Sequence, residues 1–233
     1  MAALGEAYYE ELSPILETYG VKLLCCPDNP QIDTRLRSHI DLSVFHIGEN
    51  KFLLSKSAVA ASFANELRKF GADILVSEKS FAPEYPNDAA LCALTISGKA
   101  FHNIKLTDAV IKSAFSESLH HVRQGYAKCA VCPVTDNAAI SSDPGLIKAM
   151  REQGIEVLEI AAGFISLEGF EEGFIGGAAF KTAPNTLAFT GTLDKHPDIN
   201  SSMNFIFRHG VSPIYLTDRP VFDIGSLIPI LEE

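Results

Sequence analysis

The chain has 233 residues, 47% of them hydrophobic and 21% charged, with a formal net charge of −10. That length can bury a substantial core in one domain, and without a concentrated Lys/Arg cluster it does not read as a nucleic-acid surface, because phosphate binding needs positive charge gathered in one place. No apolar run nears the ~18 residues of a membrane span, and residues 1–11 lack the basic and apolar regions of an export signal. The expectation is a cytoplasmic protein with no membrane or nucleic-acid partner, whose acidity leaves room for a cationic ligand.

In chain order, the first element reads as a helix from Glu6, with Leu12, Ile15, Leu16 and Tyr19 at helical spacing. Gly20 stops it, and an extended stretch follows at 21–24. Runs 42–47 and 52–54 read as strands joined through Gly48-Glu49-Asn50. Behind them comes a helix capped by Ser57, with Val59, Phe63, Leu67 and Phe70 on one face, then Gly71 and a strand at 72–76. The pattern returns with 89–96 and 100–102 about Ser97-Gly98-Lys99, a helix opened by Thr107 and carrying Val110, Ile111, Ala114 and Phe115, and an extended stretch within 118–122 that no glycine introduces.

A third copy has 129–134 and 138–141 about Asp136-Asn137, a helix opened by Ser142, Asp143 and Pro144 with Leu146, Ile147 and Met150 inward, and a strand at 155–160 after Gly154. In the fourth, 174–180 and 187–190 meet at Pro184-Asn185, a helix follows Pro197-Asp198 with Met203, Ile206 and Phe207, and a strand at 211–216 follows Gly210. A last run, 221–230, has no helix behind it, but the helix and strand it lacks stand at the N-terminus. The chain is therefore one strand-strand-helix-strand module written five times. It is expected to join tail to head, with residues 1–27 and 221–233 forming the fifth module of a single domain spanning 1–233. Loops 27–39, 79–87 and 163–172 all lead into first strands, and loops of that length are expected beside a pocket.

Five cysteines, an odd number, read as reduced thiols. Cys129 and Cys132 form a Cys-x-x-Cys inside a predicted strand, where they face opposite ways and act as small buried apolar groups. Cys25 and Cys26 are adjacent. Neither pair supplies the ligand spacing of a structural zinc site, so no metal and no cofactor is expected. His39, His46 and His102 near strand ends read as structural, and His120, His121 and His209 near helix ends as exposed. Gly176-Gly177 inside a strand marks a close backbone approach, to a ligand or to another segment.

The five modules resemble the pentein, or guanidino-group-modifying-enzyme, fold: a five-bladed pseudo-symmetric α/β propeller whose first strands surround a central polar pocket. Within that fold the chain is similar to a bacterial family of unknown function through His39-Ile40-Asp41, Tyr85-Pro86-Asn87-Asp88, Gln124-Gly125-Tyr126-Ala127-Lys128-Cys129, Gly173-Phe174-Ile175-Gly176-Gly177 and Asp223-Ile224-Gly225-Ser226. Matching to the dimethylarginine-hydrolase branch implies Asp41 as a guanidinium-binding carboxylate, and Glu172, just ahead of another first strand, is the candidate for a second, since paired carboxylates suit a planar cation. Lys128 is then available for a ligand carboxylate, and Asn87, Gly177 and Asp223 complete the expected ligand-binding set.

The catalytic positions of that branch depart here. Its nucleophilic cysteine falls on Asp223-Ile224-Gly225-Ser226 or, one module earlier, near Gly177, and neither place holds a thiol. Its general-acid histidine falls on Asp88 or on Gln124-Gly125. The resemblance therefore leaves two readings. One is a protein that binds a small cationic guanidino or amino-acid-like ligand between Asp41, Glu172 and Asp88 without the usual Cys/His catalysis. The other is a hydrolase of C–N bonds in which Cys129 or Cys132 attacks from another module, or Asp88 activates water as a general base. Asp41, Asp88 and Asp223 also have a plainer reading, as turn carboxylates that accept backbone N–H groups. A role in binding another protein stands beside these, because fold does not determine function.

Overall fold

The computed structural model describes residues 1–56 and 58–231. The expected cap at Ser57 and the placement of the Val59 side chain lie outside the described residues. Strand β1 (Ala2–Gly5) runs directly into helix α1 (Glu6–Thr18) and strand β2 (Leu23–Cys26). A 3-10 turn at Ile40–Leu42 then leads into β3 (Val44–Gly48), β4 (Lys51–Leu54), α2 (Ala58–Lys69) and β5 (Asp73–Val76). The next module is β6 (Leu94–Ile96), β7 (Lys99–His102), α3 (Ala109–Ala114) and β8 (Leu119–His121). A helical turn, α4 (Ala127–Ala130), precedes β9 (Val131–Thr135), β10 (Ala138–Ser141), α5 (Pro144–Glu152) and β11 (Glu156–Glu159). The chain ends with β12 (Ala179–Ala183), β13 (Thr186–Phe189), α6 (Ile199–Arg208), β14 (Ser212–Tyr215) and β15 (Ile228–Pro229).

These strands form five three-stranded sheets, β3-β4-β5, β6-β7-β8, β9-β10-β11, β12-β13-β14 and β15-β1-β2. In each, the first and second strands are antiparallel, and the second and third are parallel across the helix. The fifth sheet joins the chain's two ends, with Ala2 opposite Pro229 and Ala3 opposite Ile228. The Met1 amino group also donates to Leu231 O at 2.6 Å. Strand β1, the middle strand of that sheet, is not legible in the sequence, because Ala-Ala-Leu-Gly is buried throughout and so shows no alternation.

The helix boundaries follow local chemistry. Gly20, Gly71, Gly154 and Gly210 adopt φ of +72° to +81° just past α1, α2, α5 and α6, a conformation without a steric penalty only for glycine. The unmarked exit belongs to α3, the shortest of these helices at 6 residues. Its cap is Asp108, which accepts from Val110 N at 2.7 Å, and the cap of α5 is Asp143, which accepts from Leu146 N at 2.8 Å. Asp108 stands one residue past the expected Thr107, while Asp143 lies within the expected Ser142-Asp143-Pro144 start. Asp198 instead accepts from Ala161 N at 2.7 Å, fastening the start of α6 to another segment.

Each of five hydrophobic clusters spans neighbouring modules, one of them joining the fifth to the first and another reaching from the first and second to Cys129 of the third. Middle strands are the most buried, while β5, β8 and β14 have no fully buried residue. No helix among the described residues is long and apolar enough to cross a membrane.

The largest departure from the sequence expectation lies at the first strands. They begin at 44, 94, 131, 179 and 228, later than the apolar runs at 42, 89, 129, 174 and 221. The missing parts are buried irregular segments whose backbones bond from module to module. Lys128 N donates to Cys92 O at 3.0 Å, Gly177 N to Cys129 O at 3.0 Å, and Ile224 N and Ser226 N to Gly177 O at 3.1 and 2.9 Å. A segment buried on every side reads as an apolar run whatever its backbone does, which is why these residues looked like strand.

Candidate functional site

Those irregular segments bring polar side chains together. Leu42, Cys92, Cys129, Gly177 and Ser226 all stand two residues before a first strand. From two of these positions the thiols of Cys92 and Cys129 donate to the same atom, Asp41 Oδ2, at 3.4 and 2.6 Å. A third holds Gly177, where a Cβ would fall 1.9 Å from Asp223 Oδ1, so the missing side chain is what admits that carboxylate. From the fifth, the Ser226 hydroxyl accepts from Lys128 Nζ at 2.8 Å. Asp223 carboxylate oxygens accept from Gly225 N and Phe174 N, both at 2.9 Å.

His39 completes the cluster. Its Nδ1 lies 3.9 Å from Asp223 Oδ1, and the side chain packs on Gly225, where a Cβ would come within 2.4 Å of His39 Cα. Donor atoms of His39, Cys129 and Asp223 lie within 4.8 Å of one another, and so do those of Asp41, Cys92 and Cys129. All five residues are buried, and His39 Nε2 and Asp41 Oδ1 have no hydrogen-bond partner. Tyr8, half-buried on α1, sets its ring edge-on to His39 at 6.3 Å.

Burial pushes the Asp41 carboxyl above its ordinary range, against the pull of His39. The neighbouring Cys92 thiol, burial and the Asp41 charge together push the Cys129 thiol well above its ordinary range. Burial and the neighbouring Asp223 raise Tyr8 to about 12. At neutral pH the centre thus holds a thiol rather than a thiolate, and a cation entering beside Asp41 would favour the thiolate.

Around this centre, Asp88 is buried and accepts from the Tyr126 hydroxyl through Oδ2 at 2.7 Å, while its Oδ1 has no partner. Burial raises its pKa. Asp41, Asp88 and Asp223 stand three, six and five residues ahead of their first strands, so they do not share one repeated position. Only Asp223 acts chiefly as a turn carboxylate. Two segments cover the site. Ile32, Leu36 and Leu167 pack in the cluster that contains Cys129, and Arg35 joins the segments by donating to Gly169 O at 2.7 Å and lying 4.1 Å from the centre of the Phe170 ring.

The structure brings together Asp41, Cys129, Gly177, Asp223 and Lys128 of the expected residues. Cys132 lies in a different cluster, among Val134, Ala138 and Ile140, and burial pushes it to about 12. The expected strand through both cysteines is interrupted, with Cys129 on α4 and Cys132 on β9. Asn87 is an exposed turn residue whose N–H donates to Glu84 O at 2.9 Å, and Glu172 is exposed in the covering segment. His102 is structural, bonded to Thr107 Oγ1 and Gly125 O, both at 2.8 Å.

Cys92, His39 and Tyr8 were not expected at the site. The signal for Cys92 is its register, two residues ahead of its strand like Cys129, and that register shows only when the modules are superimposed. A surface groove of about 430 Å³ along α5, lined by Pro144, Ile147, Lys148 and Arg151, contains none of these residues.

Among solved structures, the chain is similar to an inosamine-phosphate amidinotransferase from Streptomyces griseus (TM-score 0.58, 10% identity, 97% of this chain and 80% of that one). It is similar also to a DDAH from Pseudomonas aeruginosa complexed with citrulline (TM-score 0.53, 11% identity, 90% and 82%) and to an agmatine deiminase from C. jejuni (TM-score 0.52, 10% identity, 93% and 86%). At these identities the likeness establishes the fold. No curated protein matches the chain. Residues 3–228 match the Family of unknown function (DUF6873), and the chain belongs to that family, with the five-fold pseudo-symmetric α/β architecture of the pentein fold.

Proposed function

We propose that this protein binds a small cationic guanidino or amidino compound at the buried centre and cleaves one of its C–N bonds through Cys129. The observation that carries this reading is the 2.6 Å contact between Cys129 Sγ and Asp41 Oδ2, with the donor atoms of His39 and Asp223 within 4.8 Å of the sulfur. Of the similar structures, one is named an amidinotransferase, one an agmatine deiminase and one is complexed with citrulline, which supports the choice of substrate.

A planar cation pairs with the Asp41 carboxylate through charge-assisted hydrogen bonds and offsets the negative charge that holds the thiol protonated. The sulfur then attacks the central carbon, its proton passing to Asp41 Oδ2, which already accepts it. The C–N bond breaks as His39, paired with Asp223, donates a proton to the leaving nitrogen. Water, giving a proton back to His39, cleaves the S–C bond to release the product and restore the thiol. Lys128, held by Ser226, is the cation available to a ligand carboxylate. Access requires the segments fastened by Arg35 to part. Residues 1–233 act in this reading as one domain, and the free thiols suit a reducing, cytoplasmic compartment.

The test is thermal stability and product analysis with arginine, agmatine, other guanidino compounds and amino acids. Ligand at ~100 times its dissociation constant should stabilise by roughly 2.7 kcal/mol. Cys129→Ser should keep the shift and lose the product, and Asp41→Ala should lose both. No shift and no product from the wild type would end this reading. Turnover that survives in Cys129→Ser would transfer the chemistry to Asp88, whose buried Oδ1 lacks a partner.

A further inference from the structure

The sequence gives no metal-ligand spacing, because the sulfur that meets Cys129 belongs to Cys92 in the neighbouring module rather than to Cys132. We propose that Asp41, Cys92 and Cys129 form a three-ligand binding site for a divalent ion of the zinc class. Their three donor atoms lie within 4.8 Å of one another, whereas the His39 nitrogen comes within 4.8 Å of the Cys129 sulfur but not of all three. Ligands around a tetrahedral ion bound through sulfur at ~2.3 Å and through oxygen or nitrogen at ~2.0–2.2 Å stand roughly 3.3–3.8 Å apart. The Cys92-to-Asp41 distance of 3.4 Å already has that value. The 2.6 Å Cys129-to-Asp41 contact carries a thiol proton that the ion displaces.

One feature points to a ligand here, and another to its class. His39 Nε2 and Asp41 Oδ1 are buried and unpartnered, in residues 2% and 1% exposed. Two sulfur donors also select against the hard ions magnesium and calcium, which take oxygen. The reaction balances as one divalent ion entering and two protons leaving, one from each thiol, with Asp41 ionised. The resulting centre carries one net negative charge, and the Lys128 ammonium lies near enough to act on Asp41.

The site needs no guanidino ligand and shares Cys129 with the reaction proposed above, so the ion and the substrate exclude one another. A chain that binds Zn²⁺ but turns nothing over keeps this inference and loses the earlier one.

The test uses the full reduced chain with Zn²⁺ or Co²⁺. One equivalent of Co²⁺ should bind with a sulfur-to-metal charge-transfer band, releasing two protons, so affinity should rise by up to about 100-fold per pH unit while both thiols are protonated. Cys92→Ser should weaken binding by roughly 100-fold or more, whereas Cys132→Ser, at a buried thiol outside the site, should leave it unchanged. Should Cys92→Ser fail to fold, zinc X-ray absorption on the wild type decides: two sulfur scatterers at ~2.3 Å support the site. An absent charge-transfer band, equal affinity in Cys92→Ser, equal loss in Cys132→Ser, or a zinc ion without sulfur neighbours overturns it.

Discussion

The Cys129 thiol donates to Asp41 Oδ2 at 2.6 Å across 88 residues of sequence, and the covering segments put both out of reach of solvent. A protonated, buried thiol is a poor nucleophile toward alkylating agents. Iodoacetamide should therefore label the native chain first at Cys25, the one exposed cysteine, and all five only in denaturant. Rapid native labelling of Cys129 in a mass-spectrometric time course would mean that the site is open at rest.

Arg35 is exposed, so its removal should change thermal stability little. Its guanidinium nevertheless fastens one covering segment to the other through Gly169 and Phe170. In Arg35→Ala, Cys129 should alkylate several-fold faster at an unchanged melting temperature. An unchanged labelling rate would show that the segments part without breaking this link.

Gly177→Ala places a methyl group 1.9 Å from the Asp223 carboxylate. Such a clash can be relieved only by moving an inner segment, and overpacking of this kind typically costs about 1–3 kcal/mol. In a chain of 233 residues this should lower the melting temperature by several degrees, at roughly 2–4 °C per kcal/mol. It should also disturb the His39–Asp223 pair. A melting temperature equal to wild type would mean that Asp223 is free to withdraw.

His102 contributes a pH dependence of known sign. Burial lowers its pKa from 6.5 to about 4, so between those values the unfolded chain binds a proton that the native chain does not. Stability should fall as pH drops through this window, with His102 accounting for on the order of 3 kcal/mol. Asp41 and Asp88, raised by burial, work in the opposite direction, so the readout is the difference between wild type and His102→Gln in urea unfolding at each pH. A constant difference from pH 4 to 6.5 would contradict a neutral buried imidazole.

Much of the fold is legible without coordinates because its signals are local. Helix exits at Gly20, Gly71, Gly154 and Gly210 need only the backbone freedom of glycine, and the cap at Asp143 acts within three residues. Helix periodicity survives because one face of each helix is wet. The pre-strand segments offer no such contrast. Buried on all sides, 89–93 and 175–178 read as strand, and their irregular backbones became visible only through bonds to the next module.

By itself, then, the sequence determined a module repeated five times, the pairing of the chain's two ends and a carboxylate at Asp41 ahead of a first strand, since short-range stereochemistry and hydrophobic patterning act within a module. Only the tertiary structure decided which thiols meet that carboxylate. Cys129 and Cys132 are three residues apart, but the turn α4 sends one to Asp41 and β9 sends the other into the core. Cys92 arrives from the preceding module and Asp223 from the last. Their meeting depends on how neighbouring modules pack, and on two glycines that leave room for a carboxylate and an imidazole.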